Sequence, residues 1–145
     1  MNKNQKTMGN KGFSLVELIV VIAIMAVLVA VIAPQLLKYV EKGRQSTDVQ
    51  TVESIASALQ SYYADDETRT KDVTVTLEKT GVTPKDAAIT DAKLDSAKLK
   101  GTWTKAPSVT LKADGTIAIT GESAYYIYEN NSPKKVTGSS SSSNE

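Results

Sequence analysis

Three hydropathy regimes follow one another along the chain. From Phe13 to Ala33 nearly every position is aliphatic, with one charge, Glu17, and one hydroxyl, Ser14. A helix of this stretch is about 30 Å long, which matches the hydrocarbon core of a bilayer. After Pro34 the apolar positions become one-sided. Leu36, Leu37 and Val40, then Val52, Ile55, Ala56, Leu59, Tyr62 and Tyr63, recur at three- and four-residue spacings. Lys38, Glu41, Arg44, Asp48 and Glu53 fill the gaps. The spacing predicts one helix from about Phe13 to Ala64, half in lipid and half amphipathic, with its second half on a sheet. Pro34 removes a backbone hydrogen bond and bends or loosens that helix, and Gly43 weakens its middle.

The third regime alternates. Val109 and Leu111, then Ile117 and Ile119, have strand periodicity around a turn at Asp114-Gly115. Gly121-Glu122 is read as a second turn, leading into Ala124 to Tyr128. The expected product is an antiparallel sheet of about three strands, with Tyr126 and Tyr128 on one face and Tyr125 and Ile127 on the other. A sheet this small needs a helix to cover it, so the fold class is α+β. Between helix and sheet, residues 68–107 read least clearly. Val73, Val75 and Leu77 alternate, and Asp86 to Lys100 can make a short helix closed by Gly101.

Composition changes the picture in two places. The chain of 145 residues has no cysteine and no histidine. That removes disulfides, Cys/His zinc sites and the usual serine and cysteine hydrolase chemistry. No nucleophile–base pattern or phosphate-binding glycine loop replaces them, so neither an enzyme nor a cofactor is expected. Asp65-Asp66-Glu67 lacks the spacing of a calcium loop and reads as a solvated end to the helix. Charge matters at the start, where Lys3, Lys6 and Lys11 precede the apolar run with no acid among them. By the positive-inside bias these lysines keep that end in the cytoplasm and the rest of the chain outside. No basic surface calls for nucleic acid. The apolar run is too long for a secretory signal, although a plain membrane anchor with a snorkelling Glu17 fits it. "GSSSSSNE" at 138–145 is low in complexity and reads as a disordered tail.

The string Gly12-Phe13-Ser14-Leu15-Val16-Glu17, after a short basic leader and before an apolar helix, resembles the processing site of the type IV pilin superfamily, type II secretion pseudopilins included. The resemblance is detailed over about residues 1–60 and architectural beyond. It implies that a prepilin peptidase cuts after Gly12 and N-methylates Phe13. The cut would remove all three leader lysines and leave a cationic amine about 6 Å along the helix from Glu17. A carboxylate at mid-membrane depth costs about 2.5–3.5 kcal/mol, so a nearby cation on a neighbouring subunit is a strong attractor. Glu17 and Phe13 are therefore the expected assembly residues, and Pro34 the expected helix kink. The resemblance also implies that the helix before Pro34 can melt in a filament, with Ala26 standing where many relatives have glycine. The missing cysteines favour a Gram-positive member or a pseudopilin.

The resulting division is a leader at 1–12, a spanning and polymerisation segment at 13–33, an amphipathic segment at 34–64, a loop-and-sheet head at 65–137 and a tail at 138–145. The expected function is a major type IV pilus subunit, held in the cytoplasmic membrane and then polymerised into a surface filament. Adhesion, surface motility, aggregation or biofilm formation would follow. Its partners would be further copies of itself, the peptidase and the membrane assembly machinery. Two other readings stay open: a pseudopilin of a secretion or competence system, and a single-pass anchored binding module. Trp103 and the C-terminal tyrosines read as core more than as an adhesive patch. Asn130-Asn131-Ser132 fits a glycosylation sequon, and the serine tail could also be glycosylated.

Overall fold

A computed structural model describes residues 12–66 and 68–136. The leader lysines, Glu67 and the serine-rich tail lie outside the described residues. Two compact units divide the chain, one up to Lys38 and one from Tyr39 onward.

The first unit holds the apolar part of helix α1, which as a whole runs Leu15–Tyr62. Every described residue up to Lys38 is exposed, because the unit has no second layer to bury an aliphatic against. Helical structure continues without a break through Pro34. Proline has no N–H to give, so the Ala30 carbonyl loses its usual partner there.

In the second unit α1 becomes a stem under a sheet. Val52, Ile55, Ala56 and Leu59 are buried, as the periodicity predicts. Leu36, Leu37 and Val40 are not part of that stripe, and Leu37 remains 70% exposed. Hydroxyls on the stem are satisfied locally. Thr47, Thr51 and Ser54 each donate to the carbonyl four residues back, so they interrupt nothing.

Among the described residues six antiparallel strands pack on the stem, where about three are expected from sequence. They are β1 (Val73–Leu77), β2 (Val82–Thr83), β3 (Trp103–Leu111), β4 (Ile117–Ser123), β5 (Tyr126–Glu129) and β6 (Ser132–Lys135), in the order β2-β1-β3-β4-β5-β6. A short helix, α2 (Ala87–Asp91), lies between β2 and β3. Strand alternation holds well. Val75, Leu77, Val109, Leu111 and Ile119 face the core, as do Tyr126 and Tyr128. The outward residues Thr74 and Thr110 pair hydroxyl to hydroxyl at 2.9 Å across β1 and β3.

Several local readings change. Gly121 does not turn the chain: β4 continues through it, because the missing side chain makes room for Pro107 on β3, whose Cα would lie 3.1 Å from an added Cβ. The turn falls two residues later, where Ser123 Oγ accepts the Tyr126 amide at 2.9 Å. β3 starts at Trp103, well before Val109, and bulges twice along its pairing with β4. α2 stops at Asp91 and does not reach Lys100. Lys93 takes a left-handed φ of 58°, and the Leu94 amide returns to the Ile89 carbonyl at 2.9 Å, which closes the helix end. Its start is firm, since Asp86 caps the Ala88 amide at 2.9 Å and also accepts the Tyr63 hydroxyl at 3.0 Å.

Sequence reasoning misses two strands, the two-residue β2 and the longer β6. Ser-Pro-Lys-Lys carries no alternation, yet Asn130 and Asn131 both adopt positive φ and fold it back on β5. Asn131 then binds β4 like a further strand, accepting the Ile119 amide at 2.8 Å and donating to the Ile117 carbonyl. The outer strands are both short, and β6 carries Pro133, Lys134 and Lys135.

Candidate functional site

Gly12, Phe13 and Glu17 fall within little more than one turn at the start of α1, and Pro34 lies far along the same helix. Among the described residues nothing lies within 4 Å of where a side chain on Gly12 would begin. Phe13 is 93% exposed. Among the described residues, Gly12 and Phe13 thus lie exposed just before the first helical residue, Leu15.

The first helical turn has a specific local cause. With Leu15 as the first helical residue, Ser14 is the N-cap and Glu17 stands three places after it, as in a capping box. Glu17 Oε2 accepts the Ser14 backbone amide at 2.8 Å, satisfying one of the donors a helix start leaves unpaired. A negative charge there is also favoured by the helix dipole. So the carboxylate starts the helix as well as marking the apolar run, a role the sequence reading does not assign. Among the described residues the one salt bridge is Lys134–Glu129, so Glu17 meets no side-chain cation there. Phe13, Leu15, Leu18 and Val21 form an open apolar surface around it. α1 is long and apolar enough to cross a membrane, and none of its most apolar window is buried.

A second polar constellation, in the head unit, is absent from the sequence reading. Asp48, expected as a solvated gap-filler, is fully buried. Its Oδ1 accepts the Lys100 amide at 2.8 Å, and its Oδ2 accepts the Gly101 amide at 2.7 Å and Trp103 Nε1 at 2.9 Å. One turn earlier, Gln45 Nε2 donates to the Thr102 carbonyl at 2.8 Å, while its Oε1 accepts the Ser123 hydroxyl at 2.6 Å. A further turn back, Glu41 accepts the Thr102 amide. That amide holds the Glu41 carboxyl below its ordinary value; burial opposes the shift, and Gln45 and Arg44 add to it. The signal was present in the spacing. Glu41, Gln45, Asp48, Val52, Ile55 and Leu59 step by three and four, so all six share one face.

The remaining candidates resolve into structure. Tyr128 is buried with Trp103 stacked over it at 6.4 Å, and burial pushes its hydroxyl well above the usual tyrosine range. No group of three or more potential metal ligands occurs among the described residues. Asp66 accepts from the Thr68 amide and hydroxyl, a local turn.

Residues 7–33 match the family described as the prokaryotic N-terminal methylation motif. Neither a curated protein nor a solved structure matches the chain. That motif, at the head of a long helix whose later half carries an antiparallel sheet, supports a place in the type IV pilin and pseudopilin superfamily.

Proposed function

We infer that the chain is the structural subunit of a type IV pilus. It waits in the cytoplasmic membrane with its N-terminus inside, loses residues 1–12, and polymerises through the 13–33 segment into a surface filament. The observation that carries this reading is Glu17, a lone carboxylate in an exposed apolar helix whose partner among the described residues is a backbone amide. Cleavage after Gly12 would create an amine at Phe13, and the same amine on an incoming copy would supply the missing cation. In a water-poor filament core that attraction is strong, and a subunit docked out of register would leave a charge uncompensated. Pro34 would loosen the helix where spanning and amphipathic segments meet. Adhesion, surface motility, aggregation or biofilm formation would then be properties of the filament.

The reading is tested on material sheared from cells. Filaments built of this chain should begin at N-methylated Phe13 by mass spectrometry. Filaments that retain residues 1–12 would overturn it. A pseudopilin would instead give no sheared filaments and a secretion or DNA-uptake defect on deletion. Glu17→Leu should remain processed and membrane-bound while filament yield drops at least about tenfold, the equivalent of about 1.4 kcal/mol per docking step. Unchanged yield would remove Glu17 from assembly.

A further inference from the structure

Between α2 and β3 runs a segment, residues 92–102, with no helix or strand of its own. Its apolar side chains Leu94, Ala97 and Leu99 lie half-buried against the core, while Lys93, Lys98 and Lys100 point to solvent. A segment of this kind normally runs loose over a surface. Here its last three residues are tied to three successive turns of the stem, through Glu41, Gln45 and Asp48. Both backbone groups of Thr102 are taken by stem side chains, as a neighbouring strand would take them.

The fit around Gly101 is close. A Cβ at Gly101 would come within 2.5 Å of Gln45 Cγ and 3.1 Å of Asp48 Oδ2, so only glycine lets the backbone reach the carboxylate. Asp48, fully buried, has three N–H donors and no cation among the described residues to neutralise it. Buried charge of this kind is tolerated only while its hydrogen bonds are made. Hydrogen bonds are short-ranged, so a small displacement of the segment breaks several together, whereas the apolar core behind it yields gradually.

We propose that residues 92–102 form a strap latched to the stem by Asp48, Gln45 and Glu41, and that the head opens there first, as a unit separate from the six-stranded sheet. In a chain without cysteine the latch takes the place of a crosslink, holding the connecting segment on the helix. It can reopen, which a disulfide cannot do without reduction. This role is independent of whether the subunit enters a pilus or a shorter pseudopilus.

Lysines on the strap supply the readout. Trypsin added to the full chain in detergent should cut wild type slowly at Lys98 and Lys100. Asp48→Asn turns an amide toward the strap's N–H donors, and Gly101→Ala keeps every hydrogen-bonding group but forces the strap outward. Both should raise cleavage at these two lysines at least tenfold, while Lys112 in the β3–β4 turn stays at its wild-type rate. Unchanged cleavage at Lys98 and Lys100 in both variants overturns the latch. Acceleration at Lys112 in step with the strap overturns its independence from the sheet. Hydrogen exchange on wild type needs no variant to fold. The Lys100 and Gly101 amides should exchange together and before those of Val109 and Ile119, and exchange with the sheet amides would overturn the proposal.

Discussion

Single residues in this chain carry charge into places where charge is costly, and each does so with a defined partner. Asp48 is the clearest case. Asp48→Ala orphans two backbone amides and the Trp103 indole, for an expected loss of about 2–4 kcal/mol in chemical denaturation of the detergent-solubilised chain. Glu41 gives the complementary pH prediction. Its carboxyl is held below 4.5 in the folded chain, so its contribution is complete above that value and disappears as pH falls through the lowered one. The head should therefore lose stability as pH falls below the ordinary carboxylate range and through the lowered Glu41 value, and Glu41→Gln, which keeps an acceptor but cannot titrate, should flatten that dependence. At Gly12, a bulky substitution should leave an unprocessed band on a gel of cell membranes, because the scissile bond loses the residue the peptidase is expected to read. Full processing of such a variant would move the cut elsewhere.

At the scale of elements, the stem shows how much of the fold is legible in sequence and where legibility ends. Aliphatic runs and three-four spacing locate α1 within two residues at either end, since burial in lipid or under a sheet leaves a periodic trace. The same reasoning finds the inward residues of β1, β3 and β4. It fails where polarity is mistaken for exposure, at Asp48, and where turn chemistry alone makes the strand, at β6. It also misplaces Leu36, Leu37 and Val40, because spacing identifies a face but not the length over which a sheet covers it. Two substitutions separate covered from uncovered stem. Leu59→Ala should cost the head about 2–5 kcal/mol, as a fully buried leucine in a packed core does. Leu37→Ala should change the same unfolding transition by no more than about 0.5 kcal/mol. For the candidate site, Gly12, Phe13 and Glu17 are legible as a string of residue types. The capping contact of Glu17 with the Ser14 amide becomes visible only with the helix start in place.

For the whole molecule, two kinds of surface meet in one chain: an uncovered aliphatic helix suited to lipid or to copies of itself, and a head with its core closed by its own stem. In the proposed filament, cohesion between copies would fall to the helix. The head contributes shape and a hydroxyl-rich outer sheet face and exposes little that is sticky. The short final strand completes that division. A proline and two lysines at a sheet margin deny a neighbour's backbone a continuous ladder to join. If the chain is stored in a bilayer as proposed, subunits crowded side by side would collide through their heads without zipping into amyloid-like clumps, and the reservoir would stay usable until it is drawn upon.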